Sequence, residues 1–267
     1  MIELPTTIQK TDIQSPTKLV LISHQGSGKT TAVSLLPNCL IIDLESGSDH
    51  VSAFKLNLKR IASEQNISLL TALKQTIDAI KEGNQKKGGY VYDYIVIDPI
   101  TTFEKLAEER ALFNLRNSTI GKGMIKDGAT INNVISDLPS GGGYKWLYQA
   151  FEDMYGAVQG LAKNCIIWIG HSKQSSLLIK GQSMEAKDMA LTGKLKVDLL
   201  RDIDCCGFLW REGNQLKISF KQDEKDLTTK SRIPRLADKE FVLTEKQENG
   251  TFINNWKEIF PDWIKKM

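Results

Sequence analysis

The chain has 267 residues, 41% hydrophobic and 25% charged, the balance of a folded globular protein and not of a disordered or collagen-like one. Its 35 basic and 32 acidic side chains leave a net charge of +3, which neither demands nor excludes a nucleic-acid partner. No apolar run approaches the roughly 20 residues that span a bilayer, and the start Met1-Ile2-Glu3-Leu4-Pro5 lacks the basic and apolar segments of a secretory signal, so a cytoplasmic protein with no membrane contact is expected.

Residues 1–17 read as an N-terminal extension, 18–243 as the main domain and 244–267 as a tail. Lys18–Ser23 is an unbroken apolar run, the signature of a strand buried on both faces. Directly after it comes Ser23-His24-Gln25-Gly26-Ser27-Gly28-Lys29-Thr30-Thr31, which matches the phosphate-loop pattern G-x-x-x-x-G-K-[ST] except that Ser23 replaces the first glycine. Gly26 and Gly28 let backbone amides approach phosphate oxygens without a Cβ in the way. Lys29 is placed to reach the β- and γ-phosphates and Thr30 to offer its hydroxyl to Mg²⁺, with Gln25, Ser27 and Thr31 completing the cradle. A helix over Thr31–Leu36 would point its positive end at the anion. ATP and Mg²⁺ are the cofactors this pattern implies.

Cys39–Leu44 reads as a second buried strand, ending in Asp43, Leu44 and Glu45. Hydrolysis needs a group that orients or deprotonates water, and Asp43 and Glu45 share a strand face, so either can serve. Helical spacing of apolar residues follows over Leu69–Ile80. Tyr94–Asp98 is a third buried strand whose final Asp98 suits the carboxylate that holds Mg²⁺ in phosphoryl-transfer sites. Phe103–Leu115 and Tyr148–Ala162 read as helices, separated by the polar, glycine-bearing stretch Asn117–Gly143, which fits no element.

Cys165–Gly170 is a fourth buried strand, and His171 after it would sit beside a γ-phosphate as a sensor. Ser172–Ala190, rich in Ser, Gln, Lys and Met, reads as a second long loop; stretches like these in a compact domain tend to be functional or disordered. Asp204–Trp210 and Gln215–Lys221, joined by Arg211-Glu212-Gly213-Asn214, predict an antiparallel hairpin, and Phe241–Leu243 another short strand. Trp256, Ile259, Phe260 and Trp263 predict a short amphipathic helix within Phe252–Ile264, docked on the core. The four cysteines, Cys39, Cys165, Cys205 and Cys206, lie in apolar runs without a Cys-x-x-Cys, so buried free thiols are expected. Strand and helix alternation gives the fold class: α/β, a mostly parallel sheet flanked by helices with an antiparallel C-terminal hairpin.

This order of motifs resembles the RecA-like P-loop ATPase core over about residues 18–235, especially the small phage and prophage members linked to single-strand annealing and recombination. The resemblance implies that Glu45 in Ile41-Ile42-Asp43-Leu44-Glu45 is the catalytic carboxylate, that Asp98 in Ile95-Val96-Ile97-Asp98 serves the metal, and that His171 holds the sensor position. It implies that Asn117–Gly143 and Ser172–Ala190 carry single-stranded DNA, with Lys122, Lys126, Lys173, Lys180 and Lys187 as phosphate contacts. Neither loop is rich in aromatic residues, so stacking on bases is weakly supported. Leu191-Thr192-Gly193-Lys194-Leu195-Lys196 resembles the stretch that offers lysines to a neighbour's ATP, making Lys194 and Lys196 candidate trans-acting cations, with Arg232 and Arg235 as others. A homo-oligomer and contact with a phage single-strand-binding or replication protein are expected.

Two functions compete. One is a DNA-binding ATPase of phage recombination, annealing or replication; the other is a nucleotide-switched interaction protein such as a helicase loader or packaging accessory. A small-molecule kinase would need an arginine-rich lid, and Asn117–Gly143 contains no arginine.

Overall fold

The computed structural model describes residues 12–179, 182–222 and 228–264, and the side chains of these except 176–187. The strands are β1 (Lys18–Ser23), β2 (Cys39–Asp43), β3 (Phe54–Asn57), β4 (Tyr94–Asp98), β5 (Cys165–Ile179), β6 (Gln182–Met189), β7 (Cys205–Glu212), β8 (Gln215–Ser219), β9 (Lys230–Ser231), β10 (Glu240–Lys246) and β11 (Phe252–Asn254). The helices are α1 (Lys29–Val33), α2 (Leu58–Gln65), α3 (Leu69–Lys87), α4 (Ile100–Asn117), α5 (Thr119–Lys126), α6 (Gly142–Val158) and α7 (Gly193–Asp202).

Six strands run parallel in the order β3-β2-β4-β5-β1-β7. Beyond β7 the sheet turns antiparallel through β8, β10 and β11. The central strands β1, β2 and β4 are buried along nearly their whole length, as unbroken Val, Ile and Leu runs require when both faces are covered. α2, α3, α4, α6 and α7 cover one face through Leu58, Leu73, Ile77, Phe103, Phe151, Leu195 and Leu199. The other face is covered by α1 and by the C-terminal residues Trp256, Ile259 and Phe260.

Several elements differ from the sequence expectation. α3 continues seven residues past Ile80 because a polar stretch can extend a helix on its solvent side until Gly88, at φ 64°, ends it. The helix after the phosphate loop starts earlier and stops sooner than Thr31–Leu36, so it is a short turn and not a strong dipole. Asn117–Gly143 is partly helical, through α5 and the first turn of α6. Ser172–Ala190 is not a loop: β5 runs on to Ile179 and pairs with β6, Ser172 opposite Met189 and Ile179 opposite Gln182. The tail holds a short strand and a single 3₁₀ turn over Trp256–Glu258 in place of a regular helix, but Trp256, Ile259 and Phe260 are fully buried and Trp263 partly so, as expected of a docked tail. β10 runs across residues 243 and 244, where the tail was expected to begin. All four cysteines are buried and free, and burial pushes the Cys39 thiol up to about 12.

Candidate nucleotide-binding site

The carboxyl ends of the parallel strands bring the polar residues together. Ser23 of β1 stands opposite His171 of β5, and Asp43 of β2 opposite Asp98 of β4. Between β1 and α1 the chain passes through Gly26 at φ 74° and Gly28 at φ 99°, backbone that side-chain-bearing residues rarely adopt. The amides from Gln25 to Thr30 donate to no acceptor among the described residues. A run of unpaired amides in such a loop is a cradle for an anion.

Lys29 is buried, and its Nζ donates to Ser23 Oγ at 2.7 Å and the His24 carbonyl at 3.0 Å. Ser23, the departure from the glycine of the pattern, therefore bonds the lysine directly, and its hydroxyl also contacts Ser27 Oγ. Burial lowers Lys29 to about 8, opposed by Asp98. Thr30 Oγ1 donates to Asp98 Oδ2 at 2.7 Å. Burial raises the Asp98 carboxyl to about 6, against the Thr30 bond, with Asp43 and Glu45 also raising it and Lys29 lowering it. A hydroxyl and a carboxylate at this spacing, next to a phosphate cradle, suit Mg²⁺, which takes one or two protein ligands and completes its shell with water and phosphate. No cluster of three or more His, Cys, Asp or Glu suited to another kind of metal site occurs among the described residues.

The two carboxylates at the end of β2 part company. Asp43 is buried and accepts from the amides of Glu45 (2.9 Å), Ser46 (2.7 Å) and Ser48 (2.7 Å) and from Ser48 Oγ (2.6 Å). Burial pushes its pKa up, but these bonds outweigh it and hold the carboxyl below its ordinary range. Asp43 braces the loop. Glu45 is exposed and accepts a hydrogen bond from Thr102 Oγ1 on one oxygen, and its second oxygen has no partner among the described residues. His171 is half-buried, its Nδ1 enclosed with no hydrogen-bond partner among the described residues. Burial and the nearby Lys29 lower its pKa, against Glu45.

The remaining candidates scatter. Gln25 is exposed and Thr31 half-buried on the loop. Lys194 is exposed, its ammonium 5.3 Å from the Tyr148 ring centre. Lys196, expected as a cation for a neighbour, forms an ion pair with Asp188 at 2.7 Å within its own chain, because α7 packs it beside the base of β6. Arg232 donates to the Arg201 carbonyl, and Arg235 to the carbonyls of Gln14, Glu258 and Ile259. Lys122 and Lys126 are exposed on α5, and exposed Lys173 donates to the Leu191 carbonyl at 3.3 Å. Lys180 and Lys187 lie outside the described side chains.

Sequence reasoning missed three contacts: Thr102 on Glu45, Arg211 against the phosphate loop, and His24 Nδ1 within 3.0 Å of Ser172 Oγ at the base of the β5–β6 ribbon. Each joins segments far apart in the chain. None carried a sequence signal: Arg211 read as part of the hairpin turn, and the β1–β7 pairing that sets it over the loop is seen only in the structure.

A family model described as an AAA domain matches residues 15–233, from just before β1 to just beyond β9. The chain belongs to the AAA domain family. No curated protein matches it significantly. The AAA domain is a nucleotide-binding, P-loop ATPase type of domain, and its fold agrees with the α/β class read from the strand pattern. No helix of the described residues is long and apolar enough to cross a membrane.

Proposed function

We propose that this AAA domain binds and hydrolyses Mg-ATP and that single-stranded DNA is its partner, in phage recombination, annealing or replication. One observation carries the nucleotide half: the Thr30–Asp98 pair at 2.7 Å, set beside buried Lys29 and a run of unpaired loop amides. In this reading the amides of Gln25–Thr30 and Lys29 hold the phosphates, Thr30 and Asp98 hold Mg²⁺, Glu45 activates water and His171 faces the terminal phosphate. Lys194 remains the candidate that a neighbouring copy would use, in a homo-oligomer. The DNA half draws support from the β5–β6 ribbon, which rises from the same sheet edge, carries exposed Lys173 and touches the phosphate loop through His24 and Ser172.

The test is the ATPase rate with and without single-stranded DNA, with oligomer mass measured alongside. DNA-stimulated, salt-sensitive activity supports the reading; hydrolysis indifferent to DNA, with no DNA binding at low salt, removes its second half. The His24–Ser172 contact also favours a nucleotide-switched ribbon that docks a protein. Recovery of one stoichiometric protein partner, with DNA irrelevant, selects that alternative.

A further inference from the structure

A phosphate loop holding a triphosphate gathers up to four negative charges, and Lys29 offsets one of them. The structure places a second cation at the loop, from the same chain. β7 pairs with β1 in parallel, Phe208 opposite Ile22, and then runs on to Glu212 before turning into β8. Arg211, three residues beyond that pair, stands over the loop that follows β1. Its Nη2 donates to the Ser27 carbonyl at 3.3 Å. A Cβ added at Gly28 would lie 2.7 Å from the same nitrogen, so the arginine fills the space that the loop's second glycine leaves open.

Among the described residues the charge of Arg211 is uncompensated: it takes part in no ion pair, and its neighbour Glu212 is engaged by Lys217. A guanidinium presents five donors in a rigid fork suited to phosphate, and only one is engaged here. Three of the four cations expected to face a neighbour's nucleotide are engaged within their own chain, Lys196 by Asp188 and Arg232 and Arg235 by backbone carbonyls, and the fourth, Lys194, is exposed on α7 with its ammonium over the Tyr148 ring. A guanidinium with donors to spare among the described residues, seated beside Gly28 in a loop of unpaired amides, has an anion as its complement.

We infer that Arg211 binds the phosphates of the nucleotide held in its own chain, so that the AAA domain supplies its second phosphate-facing cation in cis. This rests on the nucleotide site proposed above. On binding, the guanidinium exchanges the neutral Ser27 carbonyl for charged phosphate oxygens, a stronger acceptor.

The test compares the full-length wild type with Arg211→Ala, Arg211→Gln and Arg211→Lys, using a fluorescent ATP analogue with Mg²⁺ and a thermal melt of each variant. Arg211→Ala and Arg211→Gln should weaken binding about ten- to a hundredfold with melts unchanged, and Arg211→Lys should recover part of it. Affinities within twofold of wild type in all three variants overturn the inference. Mixing Arg211→Ala with Lys29→Ala decides cis against trans: a cis arginine leaves the mixture no more active than the two chains assayed apart, whereas restored hydrolysis means that it acts on a neighbour. A wild type that binds no nucleotide sinks the proposed site itself and this inference with it; a wild type that binds beside unaffected variants sinks the inference alone.

Discussion

Asp43 and Asp98 face each other across neighbouring strands, both at the carboxyl edge of the sheet, yet they answer burial in opposite ways. Asp43 accepts three backbone amides and a hydroxyl, and its pKa falls. Asp98 accepts one hydroxyl, from Thr30, and its pKa climbs to about 6. A buried carboxylate surrounded by donors has its charge already solvated by the protein, and it serves the fold. One left with a single donor remains in need of a cation, and it marks the place where chemistry is expected.

Asp98→Asn gives the largest effect and breaks the contrast outright. Hydrolysis should fall at least about a thousandfold, roughly 4 kcal/mol, because the amide cannot hold the metal. The apo chain should nevertheless become more stable at neutral pH, by up to about 3 kcal/mol, since a shift from 3.8 to about 6 measures the penalty of burying that charge. The sign follows from proton binding: the native state holds the Asp98 proton more tightly than the unfolded chain. Stability from this group is thus greatest below about pH 4 and is lost as pH rises to about 6. Urea melts across that range check it, and the asparagine variant should remove this slope. An Asp98→Asn chain less stable than wild type at pH 7 would contradict the reading.

Asp43→Ala should do the reverse. Four donors lose their acceptor, and the loop from Glu45 to Ser48 loses its brace, for a destabilisation of about 3 kcal/mol by denaturant melt. Its depressed pKa gives stability that is present above pH 4 and lost as the pH falls through the folded value, opposite to Asp98. Glu45→Gln, by contrast, should leave the melt unchanged and nucleotide affinity intact while turnover falls about a hundredfold. Normal turnover in that variant would move the water-activating role elsewhere.

The same contrast explains what the sequence disclosed. β1, β2 and β4 were legible because strands covered on both faces must be continuously apolar; Asp98 closes β4, and Lys29 and Thr30 open α1 after the phosphate loop that follows β1. The β5–β6 ribbon was not, because its residues from Ser172 on are held by backbone pairing and carry no apolar period. β3 is four residues long and α2 follows it without a break, too short a signal for either to be read. Choosing Glu45 over Asp43 by residue type alone was impossible, since the difference is the number of donors around each. Arg211 looked like a turn residue until the β1–β7 register set it over the phosphate loop.

Ser23 gives the smallest effect and the finest test of donor counting. In the motif its position belongs to glycine, which has no side chain; here the hydroxyl takes a 2.7 Å bond from Lys29. A bound phosphate must draw Lys29 away from that hydroxyl, so the serine competes with the ligand. Ser23→Gly should therefore raise nucleotide affinity about three- to tenfold, the worth of one modest hydrogen bond. Glycine at the end of β1 also costs about 0.5–1 kcal/mol in stability, which a melt would register separately. Ser23→Ala isolates the cause, because it removes the hydroxyl and keeps the backbone restrained. Equal gains in both variants assign the effect to the hydroxyl; a gain with glycine alone assigns it to loop freedom. Unchanged or weaker affinity in both would mean that Lys29 leaves Ser23 at no cost, and that the serine is a spacer at the end of the strand.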